Sequence, residues 1–144
     1  MRRSLGVGVV LLLAAALLLM PTRAEAQQQG RAKPQIGQNY PNPFNPTTRI
    51  PIVLPEWMFE GGKSVTVSMR IVNAALQLVA VPMALEHTEG NARVADLKYW
   101  TPGAHVAYWD GTDRNGNKVG SGIYWLVWFV NGERQQPIKM TVTK

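Results

Sequence analysis

Between Ser64 and Ile71 the chain alternates without error: Val65, Val67, Met69 and Ile71 are apolar, while Ser64, Thr66, Ser68 and Arg70 are polar. Extended backbone points successive side chains to opposite sides, so a period of two predicts a strand with one wet and one dry face. Such a strand cannot stand alone, because its dry face needs a second layer to cover it. The same period returns in Ile50, Ile52 and Leu54, where Pro51 on the other face predicts a place near a sheet edge. It returns once more in Ile138, Met140 and Val142, within a return strand expected over 135–143.

Turn chemistry separates these runs. Pro55 ends one strand, Gly61 and Gly62 make a turn, and Asn73 to Gln77 predicts a tight turn into a strand over about 78–83, with Pro82 at its end. Residues 84–95 mix Glu86, His87, Glu89, Gly90, Asn91 and Arg93 and read as a loop. Short strands are expected over 96–100 and 104–109, on either side of Thr101-Pro102-Gly103. Residues 110–122 hold four glycines, two asparagines and two aspartates, which predicts a polar, winding connection. Ile123 to Val130 is an unbroken apolar run, expected as a central strand buried on both faces, and Asn131-Gly132 then signals a two-residue hairpin. About seven strands and no helix beyond the first segment predict an all-β fold, a small antiparallel β-sandwich.

The first segment has a different character. Arg2 and Arg3 precede an apolar run from Leu5 to Met20, and Ala24-Glu25-Ala26 leads into Gln27. That order predicts a signal peptide over 1–26 with cleavage between Ala26 and Gln27, and so an exported bacterial protein of the surface, periplasm or medium. The run of 16 residues falls short of the roughly 20 that span a bilayer, so no membrane span is expected after cleavage. The remaining 118 residues suit one domain and carry 12 basic and 8 acidic side chains, a net +4. Their cations are scattered singly, which argues against nucleic acid as a partner. The chain has no Cys, so neither disulfide nor lipid anchor is available and burial has to carry stability. Residues 27–37 are polar and read as a flexible leader. Tyr40-Pro41-Asn42-Pro43-Phe44-Asn45-Pro46 is barred from helix and central strand by its three prolines, with Tyr40 and Phe44 expected as anchors into the core.

Candidate chemistry is thin. Without Cys, and with His87 and His105 in unrelated contexts, no nucleophile and base are brought together, and the chain reads as no enzyme. Asp110 and Asp113 lie where Asx side chains ordinarily bind their own backbone. Asp113 to Asn117 has the alternating oxygens of a calcium loop, but Lys118 stands where that loop needs glycine and Tyr124 where it needs Glu. No cofactor or metal is expected. Trp57, Trp100 and Trp125 are candidates for a glycan platform. Ile123, Trp125, Val127 and Phe129 share one strand face; covered, they are core, and exposed, they mark a partner contact.

Three motifs occur in order: Gln38 to Thr48 around Tyr-Pro-Asn-Pro-Phe-Asn-Pro; Trp109-Asp110-Gly111-Thr112-Asp113 with Asn115-Gly116; and Gly120-Ser121-Gly122-Ile123-Tyr124. Together they resemble the flagellar hook-capping type of immunoglobulin-like domain, and are similar to the C-terminal sorting domains of type IX secretion cargo, which also end in a Lys- and Met-containing strand like 139–144. The resemblance covers 38–144. It implies a β-sandwich without catalytic residues, attached to secreted enzymes and adhesins and read by export machinery. Only 11 residues, Gln27 to Gly37, separate the predicted cleavage point from the motif, which favours a domain that is itself the working part. The expected function is therefore an exported module for surface attachment, assembly or protein interaction. Its partner would be an envelope or secretion protein or a second copy, docked through apolar surface and strand edges. The alternatives are a sorting signal for a type IX-like system and a glycan-binding module.

Overall fold

Alternating strands become two facing layers in the computed structural model, which describes residues 30–144; the predicted signal peptide and the Ala26–Gln27 junction lie outside the described residues. Residues 33–144 form one compact unit. In chain order its elements are β1 (Gln35–Ile36), β2 (Thr48–Leu54), a short 3-10 helix (Glu56–Phe59), β3 (Val65–Val72), β4 (Leu78–Ala80), β5 (Met83–Leu85), β6 (Leu97–Tyr99), β7 (Gly103–Trp109), β8 (Gly122–Val130), β9 (Glu133–Arg134) and β10 (Ile138–Val142). One sheet runs β1-β2-β7-β5; the other runs β10-β8-β3-β4, with β6 also on β3 and β9 also on β8. Every strand pair is antiparallel.

The core forms between the dry faces. Ile50, Ile52 and Leu54 of β2 and Ala107 and Trp109 of β7 are buried from one side; Val65, Val67, Met69, Ile71, Leu126, Trp128, Val130, Met140 and Val142 come from the other. The expected alternation in β2, β3 and β10 thus decides which residues are inside. Asn131 and Gly132, both with positive φ, close the β8–β9 hairpin as their dipeptide predicts.

Several expectations need correction. The leader joins the sheet: Gln35 and Ile36 pair with Val53 and Ile52, and the Gly37 N–H donates to the Pro51 carbonyl at 2.8 Å. The N and O of one strand residue point to the same side, so Pro51 turns its missing donor toward the short β1 rather than toward β7. The strand expected over 78–83 divides at Val81-Pro82, with β4 in one sheet and β5 in the other. The expected 84–95 loop then returns along that crossing. Its Ala92 carbonyl accepts from Ala84 N at 2.7 Å, and Val94, fully buried, donates to Pro82 O at 2.9 Å while accepting from Met69 N at 2.8 Å. β6 and β7 likewise belong to different sheets. The structure therefore has more strands than the expected seven, the surplus being pieces of two or three residues.

Tyr40 is 48% exposed, and only Phe44 of the two expected anchors is buried, at 1%. β8 is central, between β10 and β3, but it is not buried on both faces. Leu126, Trp128 and Val130 point inward, while Ile123 and Trp125 are 48% and 37% exposed. Val127 and Phe129 are partly buried. A two-layer sandwich offers β8 only one opposing sheet, so an apolar residue on its other side stays outside.

Trp128→Ala should cost about 3–5 kcal/mol in urea denaturation, as large truncations of a core do. Trp125→Ala should cost less than about 1 kcal/mol. Equal losses would mean that both faces of β8 are interior.

Candidate interaction surface

The three motifs meet at one place. The Phe44 ring lies edge-on to Trp109, with centroids 5.3 Å apart, and Trp109 is edge-on to Tyr124 at 5.6 Å. The Trp109 indole N–H donates to Thr112 O at 2.9 Å, and the Tyr124 hydroxyl donates to Gly120 O at 3.0 Å. Gly111 has φ +74°, and a Cβ there would sit 2.4 Å from the Pro46 carbonyl oxygen, so only glycine fits. Phe44 also borders β10: its N–H donates to Thr141 O and its carbonyl accepts from Thr143 N, both at 3.0 Å. The Asn42 carboxamide oxygen accepts from Thr141 N at 2.9 Å, and Gln38 Nε2 donates to Lys139 O at 3.0 Å. Pro41, Pro43, Asn45 and Pro46 are exposed and carry the chain across this edge. Gly116 takes positive φ in the connection that follows β7, and Gly122 does so as the first residue of β8.

Sequence reasoning missed Asn39 and Thr48, the two buried polar side chains of the described residues. Asn39 Nδ2 donates to Thr48 Oγ1 at 3.0 Å, and that hydroxyl donates to Pro41 O at 2.9 Å. One signal was available: Thr48 continues the 50, 52, 54 face of β2, so a polar group there had to find a partner inside.

Asp110, Asp113 and both histidines are occupied by their own chain. Asp110 Oδ1 accepts from Thr112 N at 3.0 Å and Thr112 Oγ1 at 2.6 Å. Asp113 Oδ1 accepts from Asn117 N at 3.0 Å and Asn115 N at 2.8 Å; the Asn117 N–H foremost holds this carboxyl below the usual carboxylate range. His87 donates from Nε2 to Lys98 O at 2.9 Å and accepts from Glu89 N at Nδ1, at 3.1 Å. His105 Nε2 donates to Thr101 O at 2.8 Å. Both imidazoles stand edge-on to Tyr99, at 4.9 and 4.7 Å. The Tyr99 hydroxyl is buried without a hydrogen-bond partner, and burial pushes its pKa up to about 12. Among the described residues no group of three or more His, Cys, Asp or Glu could hold a metal ion, and no helix is long and apolar enough to cross a membrane.

Most strand edges are occupied as well, those of the two-residue β1 and β9 apart. Gln38, Asn42 and Phe44 cover β10, Ala92 covers β5, His87 reaches the Lys98 carbonyl of β6, and Arg114 N donates to Val79 O of β4 at 3.0 Å. Exposed edges, one of the two expected docking features, are therefore scarce. The apolar face remains. Ile123, Trp125, Val127 and Phe129 form a row along the outer side of β8, with Thr141 and Lys139 of β10 opposite Ile123 and Trp125 on one flank. Val72, Arg70 and Ser68 of β3 stand opposite Trp125, Val127 and Phe129 on the other. The Arg70 guanidinium lies over the Phe129 ring, 5.5 Å from its centre. Trp57 and Trp100 do not join this row: they follow Leu54 and Tyr99, at the end of the sandwich where β3 begins, whereas Trp125 pairs with Val72 where β3 ends. Trp125 thus stands apart from the other two candidates for a glycan platform.

Gly111→Ala should destabilise the fold by well over about 1 kcal/mol, while Gly116→Ala, also at positive φ but with open space around it, should cost only about 1 kcal/mol. Equal losses in urea denaturation would remove the Pro46 contact as the reason for Gly111. Tyr99 titrates near 10 in the unfolded chain and about 12 in the folded one, so the unfolded state releases its proton first and stability falls as pH rises from 10 to 12. Tyr99→Phe should abolish that part of the alkaline loss, and should leave stability at pH 8 equal or slightly higher, since it removes an unsatisfied hydroxyl. Identical alkaline slopes for the two proteins would sink this assignment.

The sequence matches no protein-family model and no curated protein. Among solved structures the chain is similar to dimeric latent PorU from Porphyromonas gingivalis, with a TM-score of 0.54 and 22% identity over 79% of this chain and 10% of that one. The chain thus spans about a tenth of PorU, and at this identity the likeness is one of fold.

Proposed function

We propose that this chain is an exported, non-enzymatic immunoglobulin-like module that works in attachment or assembly at the bacterial cell envelope. It binds a protein partner through the outer face of its larger sheet. The carrying observation is the row Ile123, Trp125, Val127 and Phe129, which stays on the outer side of a sandwich most of whose strand edges are occupied by the chain's own segments. Apolar surface of that kind ordinarily marks a contact. Export is supported by the Arg2 to Ala26 pattern, and the absence of catalytic work by carboxylates and imidazoles engaged with neighbouring backbone.

A second reading, a sorting signal read by a type IX-like secretion system, is favoured by the motif resemblance. The same fold also makes up 10% of a far larger chain, which is how an address module is carried.

Intact mass of the native protein from surface, periplasmic and medium fractions, combined with in-cell crosslinking of wild type and Trp125→Glu, tests these readings. The module reading expects a Gln27–Lys144 species in an exported fraction, crosslinked to an envelope protein, with the crosslink lost in the variant. Removal of 38–144 would instead support the sorting signal. An uncleaved chain confined to the cytoplasm would overturn both.

A further inference from the structure

The charges around the row define its occupant more narrowly. Lys139 stands opposite Trp125, Arg134 opposite Phe129 and Arg70 opposite Val127, and Lys98 follows across β3, opposite Thr66. Among the described residues of β3, β6, β8, β9 and β10 the one acid is Glu133, exposed but paired with Val130 on the other side of β9; Asp96, beside β6, is hydrogen-bonded to Ser68 opposite Phe129. An apolar strip therefore runs between two cationic margins. Resting on the reading of this face as a protein contact, we propose that its partner is an acidic amphipathic helix.

The dimensions agree. At about 3.4 Å per residue, the row from Ile123 to Phe129 is about 20 Å long, and the flanking strands lie about 4.8 Å to either side. A helix about 10 Å across, with an apolar stripe of about 13 residues, covers that strip and brings carboxylates on its shoulders over both margins. A second copy of this face would set cations against cations, which disfavours self-pairing. A partner strand would need a free edge longer than the two-residue β1 and β9 offer, and the edges of β4, β5, β6 and β10 are occupied. A sugar ring would find Phe129 already covered by Arg70.

Binding is measured by Trp fluorescence and calorimetry with a synthetic 16-residue helix bearing a Leu stripe flanked by Glu, and with its Lys-flanked counterpart. The Glu helix should bind at least about tenfold more tightly than the Lys helix and weaken as salt rises from 50 to 500 mM. Arg70→Glu with Lys139→Glu should reverse that preference. Because Arg70 also covers Phe129, Arg134→Glu with Lys139→Glu is a second variant expected to act in the same direction. Equal binding of the two helices, binding of neither, or saturation of the same residues by phosphatidylglycerol vesicles or polygalacturonate in place of the Glu helix would overturn the proposal. If the helix fails while Trp125→Glu still loses its envelope crosslink, the protein-contact reading survives this inference. If that crosslink also persists, both fail.

Discussion

The edge-to-face contact of Phe44 with Trp109 is the joint on which the rest of the molecule depends. It ties a proline-rich segment that cannot form regular structure to the end of β7, and Tyr124 extends the stack into β8. Buried aromatics contribute through the large area each removes from water, and edge-on pairs add roughly 0.5–1.5 kcal/mol beyond that area. Through the same segment, Asn42 and Phe44 reach Thr141 and Thr143 and cover the outer edge of β10. A single aromatic anchor thus closes the core at one end and blunts an edge that would otherwise invite pairing with another chain.

With the edges of β4, β5, β6 and β10 occupied, most of the open surface of the sandwich lies on its faces. The smaller sheet carries the short β1 at its margin, whereas the larger carries an apolar row flanked by cations along its central strand. β8 supplies both sides of that arrangement. Leu126, Trp128 and Val130 fill the core, and Ile123 and Trp125 face outward with nearly equal hydrophobicity. One strand therefore supplies both core and apolar surface.

Legibility followed the strength of the local code. Val65 to Ile71 could be read because apolar and polar residues alternate, and Asn131-Gly132 because its dipeptide suits positive φ at both positions. Ile36 gave no such signal: it is a lone apolar residue in a polar stretch, and its pairing with Ile52 depends on backbone bonds to a strand sixteen residues away. Val94 was hidden in the same way, within a polar loop whose fold-back along β5 is set by contacts with Pro82 and Met69. For the site, the motif residues were visible as a list in order, but Asn39 and its hydroxyl partner were not, because a buried hydrogen bond leaves no period in a sequence.

What the sequence determined by itself is the set of local preferences: all-β structure, the dry faces of β2, β3 and β10, and the proline-bearing segment. Each of these is dictated by dihedral limits or by side-chain alternation within a few residues. Only the tertiary structure decided which side of β8 is core, where the chain crosses between sheets at Pro82, and that the three motifs form one cluster. These outcomes depend on which layer lies opposite. For an apolar run such as Ile123 to Val130 both sides are equally dry in sequence, and only the position of the second sheet distinguishes them.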